Sequence, residues 1–448
     1  MKTRKELQDE AIMTLLLRQR VIVNWGTGVG KSRVAVGCAD SLDRCGHGRI
    51  LLLVAETAHK ANWLGEFTGA LGERRGRELF SRITVECYAS LQKYEWTEWD
   101  FIIADEAHHL RSESRTDSIS TLKADYFLCL SATMSCNGDA DDLLRMLEVT
   151  FGKFVNLEFG IQQAIDNDIL KEPRIYVHVL SLDDLKIRQE IKESWGPSAR
   201  RKTVRCLYEE CRKYFNKDEY PALDLTMEAT PKQAYGYYTE RMRRAKARWE
   251  QARGAAGIKP GEPDNARSAW EWNSYVHYGT LRKTVLGRAK TTFCAWLLSR
   301  LGDKKYICFC TDVEQAVLLG GDNVIHAGRR DNMDVIDAYN RSDIRSLFAV
   351  NMIQEGQNLA DIQAGVVIQL GGKERQFVQK FGRALRSSTP EQHIVVIAGT
   401  RDVEYYKTAV AGLNQGYIRK RYYGSAREIP SSDSGNSDRP GLARTVTV

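Results

Sequence analysis

Two short stretches combine residue types that can bind a polyphosphate and act on it. The first, Trp25-Gly-Thr-Gly-Val-Gly-Lys-Ser32, follows an apolar run at residues 21–23 and opens a helical pattern. Glycines in such a strand-loop-helix turn let successive backbone N–H groups point at an anion, and the helix N-terminus adds partial positive charge. We expect Lys31 to reach the β and γ phosphates of a nucleotide and Ser32 to bind Mg²⁺ through its hydroxyl. The residues predicted to bind the nucleotide in this loop are Gly26, Thr27, Gly28, Val29, Gly30, Lys31 and Ser32.

This loop fits the pattern G-x-x-x-x-G-K-[ST] except at its first position, where Trp25 replaces glycine. Short patterns of this kind also occur without function. The alternative interpretation is a glycine-rich turn between a strand and a helix, with Lys31 as a surface side chain.

The second stretch, Asp100-Phe-Ile-Ile-Ala-Asp-Glu-Ala-His108, places two carboxylates after a buried strand. Parallel α/β sheets bind ligands at the carboxyl ends of their strands. We expect Asp105 to hold the Mg²⁺ that Ser32 also contacts, and Glu106 to polarise the water that attacks the γ phosphate. Taken alone, the stretch could also be an acidic turn.

Short β-rich runs separated by helix-length segments must position these groups. Near-continuous apolar strands with helical crossovers predict a parallel sheet covered on both faces. Two sets of runs occur, so we predict an α/β fold with two tandem P-loop-type domains. The runs lie at residues 21–23, 49–55, 82–87, 100–104 and 126–130, and then at 306–310, 346–350, 365–370 and 393–398.

The predicted boundaries follow from these runs. The first domain spans residues 1–170 and the second spans 171–429. The second contains a charged, mainly helical insertion at about 182–289, interrupted by a Gly/Pro-rich loop at 257–263. Residues 430–448 are too polar to bury a core, and we expect them to be disordered.

The order of motifs in the chain resembles that of a superfamily 2 helicase or translocase, with Asp-Glu-Ala-His as motif II. Ser131-Ala-Thr133 matches motif III and Gln379-Lys-Phe-Gly-Arg-Ala-Leu-Arg386 matches motif VI. Weaker matches occur for the Q motif and for motifs Ia, Ib and V. The segments at 141–147 and 164–170 look like those of Snf2-like motors and phage branch-migration helicases. The resemblance implies two RecA-like domains that bind ATP and Mg²⁺ between them.

The resemblance also implies roles for further residues. Gln8 would read the adenine edge, although Leu7 stands where an aromatic residue is usual. Arg383 and Arg386 would act on the γ phosphate from the second domain, and an interdomain salt bridge is the alternative for either. The residues implied in coupling are His108, Ser131, Thr133 and Gln379. Those implied in nucleic-acid contact are Thr57, Tyr88, Ser90, His326, Gly328 and Asn358.

Composition restricts the partners. The net charge of +7 permits a polyanion without requiring one, and basic runs at 199–202 and 241–248 concentrate the charge. We therefore add Arg243, Arg244 and Lys246 as candidate nucleic-acid contacts, with a solvated helix face as the alternative. Ten scattered cysteines without a C-x-x-C pair indicate free thiols. A zinc site at Cys206 and Cys211 is a minor alternative.

We expect an ATP-dependent DNA helicase or translocase that acts on duplex or branched DNA in replication, recombination or repair. We expect a monomer. We also expect it to work in the cytoplasm or nucleoplasm, since there is no secretory signal and no apolar run as long as a membrane span. The alternatives are an RNA helicase of the same superfamily, a nucleotide-dependent clamp that does not translocate, and the motor subunit of a restriction system. No nuclease motif in the sequence supports the last.

Overall fold

The computed structural model describes residues 2–55, 58–111, 113–131, 140–185, 189–192, 226–259, 262–350, 359–371 and 390–426. The first part of the chain forms one six-stranded sheet in which every pair of neighbours is parallel. Its strands are β1 (Arg20–Trp25), β2 (Ile50–Val54), β3 (Thr84–Cys87), β4 (Glu98–Ala104), β5 (Lys123–Ser131) and β6 (Val155–Phe159). Its helices are α1 (Arg4–Arg18), α2 (Lys31–Arg44), α3 (Ala58–Leu71), α4 (Glu73–Phe80), α5 (Glu113–Ser120), α6 (Ala140–Phe151) and α7 (Ile161–Asp166).

The order of strands in this sheet is β3-β2-β4-β5-β1-β6. All five residues of β2 are buried apolar side chains, as expected for a strand covered on both faces. Helix α1 begins at a capping box formed by Thr3 and Glu6, and it buries Leu7, Ala11 and Leu15, which share one face at a spacing of four.

The second part of the chain forms a seven-stranded parallel sheet with the order β11-β12-β10-β13-β14-β7-β15. The strands of this part are β7 (Arg174–Leu180), β8 (Gln189–Lys192), β9 (Thr226–Ala229), β10 (Tyr306–Phe309), β11 (Val324–His326), β12 (Ser346–Val350), β13 (Ala364–Val367), β14 (Glu391–Ile397) and β15 (Ile418–Tyr422). The helices are α8 (Pro231–Ala255), α9 (Ala266–Ala289), α10 (Thr291–Ser299), α11 (Val313–Gly320), α12 (Asn332–Asn340) and α13 (Arg401–Val410). The predicted fold class, two tandem parallel α/β units, is confirmed.

The insertion between β7 and β10 contains a long antiparallel pair of helices, α8 and α9. Before α8, the described residues also form a short antiparallel ribbon, in which β8 pairs with β9. Residues 193–225, which include the basic run at 199–202 and both Cys206 and Cys211, lie outside the described residues, as does the predicted disordered tail at 430–448.

The chain passes from the first sheet to the second between β6 and β7. A cavity of about 620 Å³ lies at this crossing, lined by charged side chains that include Asp166, Lys171 and Arg419. It does not include the phosphate loop, and nothing in its lining indicates a ligand.

Three cysteines illustrate the predicted free thiols. Cys38, Cys129 and Cys294 are buried without a disulfide, and burial raises the pKa of each thiol. No helix in the described part of the chain has the length and hydropathy of a membrane span.

Candidate active site

The glycine-rich loop connects β1 directly to α2, as the sequence predicted. Gly28 and Gly30 have φ angles of 91° and 107°, in the left-handed region that favours glycine. Helix α2 begins at Lys31, and no side chain caps its N-terminus. The N–H of Arg33 donates to the carbonyl oxygen of Gly30 at 3.1 Å, and the N-terminus of this 14-residue helix, with its partial positive charge, adjoins the glycine loop.

The amino group of Lys31 donates a hydrogen bond to the carbonyl oxygen of Trp25, 3.0 Å away. The lysine thus folds back over its own loop, at the position where a phosphate group of a nucleotide would bind. Trp25 itself is buried at the end of β1, with 1% of its surface exposed. A large side chain in place of the first glycine is accommodated because it packs into the core and not into the loop.

Gln8 lies against the same loop. Its amide nitrogen is 3.4 Å from the carbonyl oxygens of both Val29 and Gly30. A Cβ atom at Gly30 would come within 2.2 Å of that nitrogen, which is the end of a flexible side chain, so it is the φ of 107° that favours glycine here. The side chain that was predicted to read the adenine is therefore next to the phosphate loop.

Asp105 directly follows β4, and three hydrogen bonds fix its position. Its backbone N–H donates to the carbonyl oxygen of Leu53 at 2.9 Å. Its carbonyl oxygen accepts from the hydroxyl of Tyr88 at 2.7 Å, and its side-chain Oδ2 accepts from the indole N–H of Trp63 at 3.0 Å. The carboxylate is held by a buried aromatic donor, because only 3% of Trp63 is exposed.

Glu106 has a φ of 47°, which is rare for a residue other than glycine. Strained backbone of this kind is found at functional sites. One carboxylate oxygen of Glu106 lies 3.4 Å from Nδ1 of His108, which is buried. The ring of His108 is in turn 4.5 Å from that of His109, which stacks on Tyr88.

Strand register brings the predicted groups to one edge of the sheet. In β5, Ser131 pairs with Asn24 of β1, and Cys129 pairs with Ala104 of β4. The phosphate-loop strand and the Asp-Glu-Ala-His strand are thus separated by β5 alone, a distance of about 10 Å at the usual strand spacing. The buried Ser131 lies between them, where the resemblance places a coupling residue.

These residues fit MgATP. The loop offers oriented N–H groups and an ammonium group for phosphates, whereas Ser32 and Asp105 offer the hard oxygen ligands that Mg²⁺ prefers. The residues that would bind the nucleotide and the ion all lie at the carboxyl edge of the first sheet.

The candidate nucleic-acid contacts in the two domains have different surroundings. Tyr88 is buried, with 1% of its surface exposed, so its side chain is inaccessible to a polymer on the surface. Ser90 is half-buried, in the 3-10 helix Tyr88–Tyr94. In the second domain, His326 is half-buried at the end of β11, and its ring nitrogen accepts from the N–H of the exposed Gly328 at 3.2 Å.

Arg243 and Arg244 lie on helix α8, and their side chains are 71% and 55% exposed. Both donate to Glu240, at 2.8 and 2.7 Å, and they lower the pKa of that carboxyl to about 2. Exposed ion pairs of this kind are weak, so they do not prevent either arginine from binding a phosphate.

Six predicted site residues lie outside the described residues, and their predictions remain untested. They are Thr57, Thr133, Asn358, Gln379, Arg383 and Arg386.

Trp63 contacts the site, although the sequence analysis assigned it no role. Its hydrogen bond to Asp105 joins helix α3 to the end of β4. A tryptophan within a helix is ordinarily a core residue, and nothing in the spacing indicates that its N–H would reach a carboxylate 42 positions away.

The first part of the chain is similar to one known protein family. Residues 2–136 match the model of the family described as "Type III restriction enzyme, res subunit". The match covers the loop, Asp105 and Ser131, and it supports the resemblance to a superfamily 2 helicase. No curated protein sequence matches the chain.

Many solved structures are similar in shape, and two examples are described here. One is the "ATP-dependent Type ISP restriction-modification enzyme LlaBIII bound to DNA", with a TM-score of 0.49 and 11% identity over 96% of this chain and 32% of that one. The other is the helicase domain of Hef from Pyrococcus furiosus, with a TM-score of 0.47 and 15% identity over 91% of this chain and all of that one. The chain spans about a third of the length of the first protein, and at such low identities the likeness concerns shape alone.

Proposed function

We propose that this protein is an ATP hydrolase that couples ATP hydrolysis to movement along DNA, as a helicase or translocase of superfamily 2. The observation that carries the proposal is the carboxyl edge of the first sheet. The glycine loop with Lys31 follows β1, whereas Asp105, which is held by a hydrogen bond, and the strained Glu106 follow β4. Only strand β5 separates β1 from β4 in the sheet.

The reaction needs a positioned nucleophile and compensation of developing charge more than covalent chemistry. Lys31 and the N–H groups at the start of α2 bind the phosphates. Ser32 and Asp105 hold Mg²⁺, which supplies charge neutralisation at the phosphates when it is bound. Glu106 orients the attacking water and accepts its proton. One carboxylate oxygen of Glu106 lies close to His108, and we propose that this contact couples the occupancy of the ATP site to the rest of the first domain.

Movement requires that hydrolysis depends on the second domain. We propose that Arg383 and Arg386 supply guanidinium groups to the γ phosphate, since arginine stays charged and forms paired hydrogen bonds with phosphate oxygens. Hydrolysis would then occur when the two domains close, and release of products would let them open again. Repeated closure and opening on a bound strand converts a chemical cycle into steps along it.

DNA is proposed as the track, in duplex or branched form. The family match favours DNA over RNA, because the family is described as a restriction enzyme subunit, and restriction enzymes act on DNA. Backbone contacts from Ser90, His326 and Gly328 are proposed to bind the track, since a motor must bind irrespective of sequence. Tyr88 is proposed to position Asp105 and not to touch the strand.

The test is the rate of ATP hydrolysis with a panel of nucleic acids at equal nucleotide concentration: single strands, blunt duplex, forks, four-way junctions and RNA of matched sequence. We expect at least one DNA to stimulate the rate clearly more than its RNA counterpart. Greater stimulation by RNA would favour the RNA helicase, and no stimulation by any of them would contradict the proposal.

The family match also favours a second candidate, the motor part of a restriction system. A cleavage assay separates it from an autonomous motor. The chain alone, with ATP and Mg²⁺, is expected to leave long duplex DNA intact, and ATP-dependent cutting would instead assign a nuclease to it.

A further inference from the structure

Helices α8 and α9 form an arm with an unusual charge. Residues 231–289 contain twelve Lys or Arg and five Asp or Glu, a net charge of +7 that equals the net charge of the whole chain. The remaining residues of the chain therefore sum to zero. A basic arm on an otherwise neutral protein is the electrostatic pattern of a polyanion-binding element.

The base of the arm is anchored in the second domain. Tyr235 accepts a hydrogen bond from the backbone N–H of Arg401, and Gln315 donates to the carbonyl oxygen of Gly287 at 2.8 Å. Helix α8 has 25 residues and so extends about 37 Å from this base. Its far end, the connecting loop and the start of α9 form the tip.

The tip is rigid. The carboxylate of Asp264 accepts from the indole N–H of Trp249 at 3.0 Å and from Arg253 at 2.6 Å. The side chain of Asn265 caps α9, and the ring of Trp272 lies 4.9 Å from that of Trp249. Two of the three tryptophans at the tip therefore lock the loop onto the helices.

The third tryptophan does not lock the tip. Trp270 is 63% exposed, about 28 Å along α9 from the base. Arg267, Asn273 and His277 are exposed on the same helical face, at intervals of three to four residues. An exposed indole on a rigid, basic support has the composition of a platform on which nucleic-acid bases stack.

We infer that the α8–α9 arm binds a duplex-to-single-strand junction, with its basic side chains on the phosphates and an unpaired base stacked on Trp270. Bases inside a duplex are already stacked on each other, so an exposed indole gains a partner only where a strand is open. The inference rests on the proposed function and narrows its substrate to branched or partly single-stranded DNA.

The test compares a fork that carries single-stranded arms with a blunt duplex of the same length, by fluorescence anisotropy at fixed salt. Trp270→Ala is expected to weaken fork binding about tenfold and to change duplex binding less than twofold. Trp270→Phe should retain most of the fork affinity, because the ring remains. The matched control is Trp96→Ala, since Trp96 is 80% exposed but lies in the first domain, before β4.

Hydrolysis of ATP without DNA should be unchanged in all three variants, because none of these tryptophans lies in the site. Fork binding by Trp270→Ala equal to that of the wild type overturns the inference, and so does an equal loss on fork and duplex. Either result leaves the proposed function intact if DNA stimulates ATP hydrolysis by the wild type. If the wild type binds neither the fork nor the duplex, both the inference and the proposed function are overturned.

Discussion

Lys31 and Glu106 have different tasks in the proposed reaction, and the difference is measurable. Lys31 meets phosphate charge in the ground state, whereas Glu106 acts on water in the transition state. We predict that Lys31→Ala weakens nucleotide binding and lowers turnover about 10²- to 10³-fold. Glu106→Gln should bind ATP normally but lose turnover by about 10²- to 10⁴-fold. Equilibrium binding of a fluorescent ATP analogue and steady-state hydrolysis check both, and near-normal hydrolysis by Glu106→Gln would remove it from the site.

Trp63 is a positioning residue for Asp105. Its indole N–H donates to the carboxylate that we propose as a Mg²⁺ ligand, and a hydrogen bond to a charged group contributes about 1.5–3 kcal/mol. We predict that Trp63→Phe raises the Mg²⁺ concentration needed for half-maximal hydrolysis about tenfold. ATP binding measured in EDTA should not change.

The control for this prediction is Trp99→Phe. Trp99 is also buried in the first domain and also donates its indole N–H, but to the hydroxyl of Thr97 at 2.8 Å. An equal change in the Mg²⁺ requirement of both variants would show a general loss of packing and would refute the positioning role.

At the scale of elements, a buried ion pair joins the base of the arm to the first turn of α13. Lys290 directly follows α9 and has no exposed surface, and its amino group lies 2.7 Å from Asp402 and 2.8 Å from the carbonyl oxygen of Ile368. Gln369, next in the chain, donates to the other oxygen of Asp402 at 2.6 Å. The base of the arm and the end of β13 therefore share one polar cluster.

We predict that Lys290→Met lowers the free energy of unfolding by about 3–5 kcal/mol, because it leaves Asp402 buried without its cation. Adding Asp402→Asn should cost less than the sum of the single changes. Glu240→Gln, which removes the charge from two exposed ion pairs on the same arm, should leave stability unchanged. Urea denaturation measures the wild type, the two single variants, the double variant and Glu240→Gln, and a loss under 1 kcal/mol in Lys290→Met would contradict the structural role.

The sequence predicted the strands that contain a continuous apolar run, such as β2 and residues 101–104 of β4, because such runs are typical of buried parallel strands. It missed β6, β7, β11 and β15 of the two sheets, and both strands of the ribbon, β8 and β9. Strand β15 reads Ile-Arg-Lys-Arg-Tyr and is an edge strand with alternating exposure, so its charges concealed it. Strand β11 has three residues, too few for a pattern.

The candidate site was also predicted only in part from the sequence. The glycine loop and the two carboxylates could be predicted because their chemistry requires specific residues at short spacing. The contacts of Trp63 and Tyr88 with Asp105 could not be predicted, since they depend on which helix packs over which strand end. Tyr88 shows the consequence most clearly: its motif suggested a surface contact, but its hydroxyl supports Asp105 from within the core.

At the scale of the whole molecule, the proposed mechanism requires that the two domains cooperate in one ATP site. We predict that Arg386→Ala, and Arg383→Ala at least as strongly, lower DNA-stimulated hydrolysis about 10³-fold while ATP still binds. The reason is that each removes a guanidinium that the first domain does not supply in any motif of the sequence. Stimulated hydrolysis within a few-fold of the wild type in both variants, with unchanged ATP affinity, would show that these arginines act elsewhere.

The central claim is that hydrolysis drives movement along DNA, and the length of the DNA tests it most directly. A motor that moves hydrolyses many ATP molecules before it reaches an end, so its steady-state rate rises with DNA length until spontaneous dissociation limits the run. A clamp hydrolyses once per binding event, whatever the length. The measurement is the ATPase rate at saturating DNA of increasing length, with Lys31→Ala as the inactive reference. We predict a rate that increases with length to a plateau, and a DNA-stimulated rate that is independent of length would contradict the account.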